Sequence, residues 1–536
     1  MTHMLSGRLA PASRQYGRAV LPVAITALGL MLTACAPNAV QLAPAAPDQP
    51  WTPAAEGEAP AFASVPHSAS AADSAAAAQN DGRPPSFTIP ANPELAQLSQ
   101  PAQVDIKRSY GLAELIDIAQ RSSPDTRTAW EKARQAALAV GMVEATYLPL
   151  ITANVLAGGL QTSVPNPVPI VGPRHVEISA QGTSPVVAFE WLVFDFGQRA
   201  AVAKAAKEGS FAANVLFNAA HQQLILGVAT AYYRHGAAVS ALRLARQSQG
   251  NSNAVLAAVE AQLDNGRATT VELAQARQQV AQSKLRVVTA EGQVRDAYQG
   301  VLTAMGVNAT LPIKIREQER RALPARVDDT AENMIQLALS RRPDVVASYA
   351  ALKASKAGIE AAEAEFMPKV FLSGAAGYND TRFGMGNLPT AREQYTSSGI
   401  LLGATVPIYD AGLRAAQLKN AQSQAAAMEQ TFRKTQNAAV SEIVVASNVL
   451  RTALESYRAA GALAQAANTT YDAALDAYKN GLGTVTVVNE ANTALLDARL
   501  AQTEAHAVSL IAAVNLAFLT GSLTSRDDIG LPGVRY

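Results

Sequence analysis

The sequence is poor in three features that many functions require: cysteine, aromatic side chains and an excess of one charge. The 536 residues include one cysteine, 5% aromatic residues, and 44 Lys+Arg against 43 Asp+Glu. One cysteine excludes an intramolecular disulfide framework and any cysteine-rich zinc or iron–sulfur site. The net charge of +1 argues against a nucleic-acid partner, because such proteins usually carry a marked basic excess. We therefore expect no nucleic acid, metal or other cofactor to be bound.

A catalytic constellation is also missing from the sequence. No His-x-x-x-His or His-Glu-x-x-His pair occurs, and the single cysteine has another explanation given below. Gly384-Met385-Gly386 lacks the strand–turn–helix context of a phosphate loop, so we interpret it as a loop tip. The sequence therefore predicts a protein that is not an enzyme. The six histidines are His3, His67, His175, His221, His235 and His506.

Small apolar side chains are abundant. Hydrophobic residues make up 49% of the chain, and alanine supplies much of that fraction. Alanine favours helix and close backbone approach but buries little area per residue. This composition favours long helices that pack through small side chains, without a thick aromatic core.

The N-terminus has the pattern of a bacterial export signal. Three arginines precede an apolar run at 19–31, which is too short to span a membrane comfortably, and Leu32-Thr33-Ala34-Cys35 follows. This block resembles a lipobox, in which the cysteine becomes the lipidated first residue. We predict a signal peptide at 1–34 and lipidation at Cys35; the alternative is an ordinary signal peptide with an incidental cysteine. By the same resemblance, Ala36 favours the outer membrane of a Gram-negative bacterium.

Residues 35–104 are rich in proline and alanine, a composition that predicts a lipid-anchored tether and not a packed core. No later segment contains about 20 consecutive apolar residues, so no transmembrane helix is predicted. Because only helices and closed barrels satisfy the backbone in lipid, any membrane crossing would have to be a β-barrel.

The remainder of the chain is duplicated. Five anchors recur in the same order, first at an offset of 219 residues and then at 215. We therefore predict two tandem repeats, at 105–310 and 311–536. The anchor pairs are Ser123-Pro124-Asp125 with Arg342-Pro343-Asp344, Tyr147-Leu148-Pro149 with Phe366-Met367-Pro368, Asp195-Phe196-Gly197 with Asp410-Ala411-Gly412, Asn265-Gly266 with Asn480-Gly481, and Met305-Gly306 with Thr520-Gly521.

Each repeat has one internal plan: a proline-broken helix, two alternating strands, and a long helical hairpin that turns at Gly266 or Gly481. Four strands cannot close a barrel, so several chains would have to share one, and two, three or four chains would all close a ring. The predicted strands cover about 149–160, 176–195, 368–379 and 395–409.

These residues resemble the TolC family of outer-membrane factors, in its lipidated branch of multidrug efflux channels. The most specific segments are Arg341-Arg342-Pro343-Asp344-Val345, the strand-to-helix junction at 407–414 with its copy at 193–197, and Tyr478-Lys479-Asn480-Gly481. The resemblance covers about 105–525. It implies a membrane α+β protein: a homotrimer whose 12-stranded barrel, with four strands per chain, continues into a periplasmic coiled-coil tunnel.

The resemblance also implies partners and a gate. The partners would be outer-membrane lipid, a periplasmic adaptor and an inner-membrane pump, with an RND-type pump favoured over an ABC-type pump. The gate candidates are Glu490, at a family acidic position, and Glu272 with Tyr478, which in the family form a hydrogen bond across the tip. The chain departs from the family at Val487, where a second acid is usual, and at Gly483, where a basic residue is usual.

Two other functions remain open. A lipid-anchored coiled-coil spacer would explain the tether and the heptad spacing of Ile443, Ala446, Leu450, Ala453 and Tyr457 in the second long helix, but not the duplicated strands. Within the channel interpretation, the alternative is the outer-membrane exit of a type I protein secretion system, which has the same architecture.

Overall fold

The computed structural model describes residues 91–96, 104–165, 175–316, 323, 326–327, 332–386, 388–523 and 534–535. The chain divides into two units, 1–99 and 100–536. The first unit contributes a short 3-10 helix, Pro93–Ala96. Cys35, the predicted signal peptide and most of the predicted tether lie outside the described residues. All other elements below belong to the second unit.

Eight α-helices are formed by the described residues, four in each half of the second unit. Pro124 and Pro343 each stand at the first position of a helix, where a missing N–H is harmless, and they separate α1 from α2 and α5 from α6. Their bounds are α1 Leu112–Ser122, α2 Pro124–Ala145, α3 Gln198–Asp264, α4 Thr270–Met305, α5 Glu332–Arg341, α6 Pro343–Ala364, α7 Leu413–Lys479 and α8 Val485–Leu519.

The two longest helices, α3 and α7, each have 67 residues and would span about 100 Å at 1.5 Å per residue. Each forms a hairpin with the helix that follows it, α3 with α4 and α7 with α8. The two hairpins meet where α3 packs against α8. The element order of the second half therefore repeats that of the first.

Four long strands form one antiparallel sheet in the order β2-β3-β6-β7. The pairs Leu150–Glu190 and Lys369–Thr405 lie opposite each other in the two hairpins of this sheet. Short strand pairs β1–β4 and β5–β8 accompany the helices. The strand bounds are β1 Ser109–Tyr110, β2 Leu150–Pro165, β3 His175–Phe194, β4 Lys314–Ile315, β5 Arg326–Val327, β6 Lys369–Met385, β7 Ala391–Thr405 and β8 Val534–Arg535.

The strands differ from the predicted ranges mainly at the end far from the helices. There β2 continues to Pro165 and β6 to Met385, five and six residues past the predicted ends. Gly384, which we interpreted as part of a loop tip, lies inside β6. At the other end, β7 stops at Thr405, because Pro407 has no N–H to donate to a ladder.

The largest buried cluster lies where α1, α3, α4, α7 and α8 meet. Leu115, Val228, Leu302, Met305 and Leu450 are fully buried in it. Nearby, Arg342 is buried at the start of α6 and donates to Asp344 (3.0 and 2.7 Å) and to Glu442 of α7 (2.7 Å). This buried cation ties the proline-broken helix pair to the long helix.

Candidate functional site

A compact elbow joins β3 to α3. Asp195 is buried and accepts hydrogen bonds from the main chain of Gly197 (3.3 Å) and Arg199 (2.9 Å) and from Arg199 Nε (2.8 Å). Arg199 also donates to Thr146 O at 2.9 Å and lies over the Tyr147 ring. One arginine therefore connects the end of α2, the end of β3 and the start of α3.

The same elbow recurs between β7 and α7. Asp410 accepts from the main chain of Gly412 (3.1 Å) and Arg414 (3.0 Å) and forms an ion pair with Arg414 Nε at 2.8 Å. The two residues that follow the aspartate have positive φ in both elbows, 51° and 94° in the first and 53° and 86° in the second. This left-handed turn lets the chain pass from a sheet to a helix within a few residues.

The two faces of the four-stranded sheet differ in polarity at the end far from the helices. Directly opposed residues share a face, so Leu160, Ala180 and Phe383 form an apolar row across three strands. The adjacent row on the other face contains Gln181, Arg382 and Arg392, and Asp380 on that face pairs with Arg392. Such alternation is typical of a strand with lipid on one side and a polar lumen on the other.

The predicted hairpin turns lie where the sequence placed them. Gly266 has φ +69° and Gly481 has φ +77°. The asparagine before each glycine donates from its side chain to a carbonyl of the last helical turn, Asn265 to Ala261 O (2.7 Å) and Asn480 to Asp476 O (2.8 Å). Both turns are helix C-terminal caps that need glycine.

The expected hydrogen bond between Glu272 and Tyr478 is not formed. Glu272 instead completes a capping box at the start of α4, accepting from the main chain of Thr269 at 2.7 Å. Among the described residues, the buried hydroxyl of Tyr478 has no hydrogen-bond partner. Burial raises the pKa of Tyr478, and the nearby charge of Glu272 raises it further. The two groups are therefore close but serve different local structures.

Tyr478 contributes its ring to a separate apolar cluster near the hairpin tips. With an exposed fraction of 2%, it is among the most buried large side chains described. Val255, Val259, Val485 and Val488 surround it in this cluster, which draws on α3, α4, α7 and α8. The tip of the bundle is thus held by apolar packing around one tyrosine.

Glu490 is exposed on α8 and lines a polar groove of about 460 Å³ between α4 and α8. Asp497, two turns further along α8, lines the same groove with several amide and hydroxyl side chains. Gln279 donates to Thr493 across it at 3.2 Å. The structure thus brings Glu490 together with a second acid, although Val487 is not acidic.

The sequence did not single out a buried polar cluster between α3 and α8. Asn492 is 1% exposed and donates to Ser252 Oγ (3.1 Å) and Ser248 O (3.3 Å). Its oxygen accepts from Asn251 at 3.0 Å. The available signal was an asparagine at a core position, between Val488 and Leu495, in an otherwise apolar helix face.

The described part of the chain offers neither a cluster of metal ligands nor a helix able to cross a membrane. Within it, no group of three or more His, Cys, Asp or Glu side chains is placed to hold a metal ion. None of its helices combines the length and the apolar character that crossing a membrane requires.

The family model for outer membrane efflux proteins matches residues 115–307 and 334–522, which include both elbows and both hairpin tips. The chain belongs to the outer membrane efflux protein family. It is therefore an outer-membrane protein of the TolC type, and the fold combines long helices with a sheet. The family is one of channels and not of enzymes.

Three known proteins illustrate the similarity. The probable outer membrane lipoprotein SilC of Salmonella typhimurium is 25% identical over 317 residues, 58% of this chain and 64% of SilC, so the matched part spans just under two thirds of that relative. The pyoverdine export outer membrane protein OpmQ of Pseudomonas aeruginosa is 24% identical over 79% of this chain and 88% of its own length. The CmeC outer membrane channel of Campylobacter jejuni shares the fold, with a TM-score of 0.65, 18% identity, and coverage of 78% of this chain and 87% of CmeC.

Proposed function

We propose that this efflux family member is the outer-membrane exit channel of a tripartite efflux system. It would conduct passively, while an inner-membrane pump supplies the energy through a periplasmic adaptor. An RND-type pump is favoured and an ABC-type pump is possible. The observation that carries the proposal is the family match over both halves of a chain whose sheet ends in two unpaired edges. OpmQ, a relative named for pyoverdine export, favours efflux over protein secretion.

The unpaired edges support a homotrimer with one shared 12-stranded barrel. Strands β2 and β7 lie at opposite edges of the sheet, and their 16 and 15 residues have no strand partner on one side among the described residues. Open edges cannot persist in lipid, because backbone N–H and C=O groups would stay unsatisfied there. Pairing of β7 with β2 of the next copy would remove both edges, and the family resemblance supports three copies.

The internal repeat supplies the geometry of that contact. Adding 219 to Leu150 and 215 to Glu190 gives Lys369 and Thr405, the pair found at the same place in the second hairpin. The same offsets convert the β3–β6 contact within the chain into a β7–β2 contact between chains. Phe189 opposite Gly374 then becomes Ala404 opposite Val155 of the next copy.

In the helices too, a contact within the second half has a counterpart in the first half that only a neighbouring copy could supply. Helix α6 packs between α3 and α7, whereas α2 packs against α3 and has no comparable contact with a second long helix in the described part of the chain. Leu138 of α2 is 65% exposed, although Ala357, its counterpart in α6, is fully buried. An apolar residue exposed where its counterpart is buried indicates a surface that assembly covers. We assign the cover to α7 of the neighbouring copy.

We further propose that the hairpin tips form the periplasmic gate. The ring of Tyr478 would hold the four helices of each tip together, Glu272 would fix the start of α4, and Glu490 would place negative charge in the polar groove. Three copies of Glu490 around an axis would attract cations and hinder anions. Gly266 and Gly481 would form the turns that meet the adaptor.

The test is the conductance of the purified full-length protein in planar bilayers. The wild type should give channels of low closed-state conductance, and absence of any conductance would refute the channel function. Tyr478→Ala should raise the closed-state conductance severalfold, because loss of a buried aromatic ring weakens the tip by about 3–5 kcal/mol. Tyr478→Phe is the matched control and should leave the conductance unchanged, since the hydroxyl has no partner among the described residues. A leaky Tyr478→Phe channel would argue instead for a hydroxyl latch.

The N-terminal assignments remain part of the proposal: a signal peptide at 1–34, a tether at 35–104 and a lipid on Cys35. SilC, named as a probable outer membrane lipoprotein, supports the lipid. Cys35→Ser should abolish the incorporation of radiolabelled fatty acid, and retained label would refute lipidation at this residue. The repeat boundaries at 105–310 and 311–536 are proposed on the element order described above.

A further inference from the structure

A layer of polar side chains crosses the contact between the two hairpins; Ser248, Ser252 and Asn492 are buried in it, and its other members are half-buried or exposed. We call it the polar belt: Gln247, Ser248, Asn251 and Ser252 of α3 with Asn492 and Arg499 of α8. Besides the Asn492 bonds, Arg499 donates to Gln247 at 2.9 Å, and it also reaches Asn468 of α7 at 2.6 Å. Ser248 and Ser252 are both buried, and the Ser248 hydroxyl has no partner among the described side chains and main chain.

The polar belt separates two apolar parts of the bundle. On the tip side, Val255 and Val259 of α3 belong to the cluster around Tyr478. On the other side, Ala245 belongs to a different cluster with Val287 and Ala290 of α4. Between Ala245 and Val255, the buried positions of α3 are the two serines. The apolar core of the tip therefore ends at the belt, about 20 Å from the turn at Gly266.

The stretch of α3 with the lowest helix propensity lies at the level of the polar belt. Residues 247–253 read Gln-Ser-Gln-Gly-Asn-Ser-Asn, and serine, asparagine and above all glycine lower helix stability. Gly250 is exposed, and a Cβ built on it would meet nothing within 4 Å. Glycine is therefore not required there by close packing or by an unusual φ.

The hydrogen bonds of the polar belt have different energetic consequences when α8 tilts away from α3 and when α8 slides along it. If α8 moves away from α3, the amide and hydroxyl groups exchange their mutual bonds for water at little net loss. If α8 slides along α3, Asn492 faces Val255 or Ala245 and its hydrogen-bonding groups are buried without partners, which is strongly unfavourable. The belt thus opposes a change of register and tolerates a change of angle.

We propose that the polar belt is the pivot of the gate: the hairpin tips bend as a unit at this level, through local distortion of α3 around Gly250. The proposal rests on the channel function given above. In this proposal, the ends of α3, α4, α7 and α8 on the tip side of the belt move. The part of the bundle on the other side of the belt stays fixed.

The variant that tests the pivot is Gly250→Ala in the full-length channel. Alanine favours a straight helix, so it acts against a state in which α3 is distorted at this position and should lower the open probability in planar bilayers about fourfold. Gly209→Ala is the matched control, because Gly209 is also exposed in α3 with nothing within 4 Å of a built Cβ and lies outside the belt. Equal open probabilities for the two variants would overturn the pivot, whereas a wild type without conductance would overturn the channel function itself.

Amide hydrogen exchange of the assembled wild type gives a second measurement that needs no conductance. Segment 247–253 should exchange at least about tenfold faster than 240–246 and 254–260, and Gly250→Ala should slow it. Uniform protection along 240–260 would refute bending at the belt.

Discussion

At the scale of single residues, the Asp195 carboxylate is held by two opposing effects. Burial disfavours its charged form, whereas the main-chain and side-chain hydrogen bonds from Arg199 favour it. The hydrogen bonds prevail, and the pKa of Asp195 lies below its ordinary value. The ionised elbow therefore stabilises the fold at pH values above the unfolded pKa of about 4, and this stabilisation is lost as the pH falls through the lower folded pKa.

We accordingly expect Asp195→Asn to destabilise the protein at pH 7 by about 1–3 kcal/mol, because charged hydrogen bonds to Arg199 are lost. The difference from wild type should shrink in acid, where the native carboxyl is protonated as well. Thermal melting of the detergent-solubilised protein at pH 7 and at about pH 3 measures both effects. Asp117→Asn, at an exposed pair with Arg121, is the control and should change little. A pH-independent loss at Asp195 would contradict the electrostatic explanation.

At the residue scale, backbone turns could be predicted from the sequence, whereas hydrogen-bond partners of side chains could not. Gly266 and Gly481 could be placed at the hairpin turns because an Asn-Gly pair after a long helix has a local backbone cause. The partner of Glu272 could not be predicted, since a capping box with Thr269 and a bond to Tyr478 use the same carboxylate. Asn492 escaped notice because its partners lie about 240 positions earlier in the chain.

At the scale of elements, helices were easier to predict than strands. The two longest helices begin directly after a glycine of the strand-to-helix junctions and end directly before the asparagine of the Asn-Gly turns, as the sequence indicated. The far ends of β2 and β6 were set too early, because Asn379, Asp380 and Arg382 are polar and resemble a loop. They are in a strand because β3 and β7 lie on either side and supply ladder partners, which no local pattern reveals.

The second elbow offers an element-scale prediction, because Ala411 has φ 53° without being glycine. A left-handed conformation costs an L-residue about 1 kcal/mol or more, so Ala411→Gly should leave stability unchanged or raise it by about 0.5–1 kcal/mol. Ala415→Gly, four residues later inside α7, is the matched control and should lower stability by about 0.5–1 kcal/mol. Urea unfolding of both variants gives the comparison, and a loss at Ala411 as large as at Ala415 would show that the turn carries no strain.

At the scale of the whole molecule, the two halves of the chain explain features that neither explains alone. Each half ends its sheet hairpin at an open edge, and the first half leaves a helix surface exposed at Leu138 whose counterpart in the second half, at Ala357, is covered. In a duplicated chain, the strand pairing and helix packing between the two halves can therefore recur between one copy and the next. The alanine-rich composition fits this arrangement, since small side chains let long helices pack side by side around a lumen.

The register of the contact between chains can be tested with engineered cysteines in a Cys35→Ser background. The repeat offsets predict that Ala404 of β7 lies directly opposite Val155 of β2 in the next copy, on the same sheet face. Opposed residues lie about 4.5–5.5 Å apart between Cα atoms, within disulfide reach, whereas residues displaced by two positions lie about 7–8 Å apart. The pair Ala404→Cys with Val155→Cys should thus form oxidant-dependent covalent dimers and trimers on gels. The pair Ala404→Cys with Ala153→Cys, on the same face but two positions away, should form few. Efficient cross-linking of the displaced pair alone would mean that the contact between chains does not follow the internal repeat.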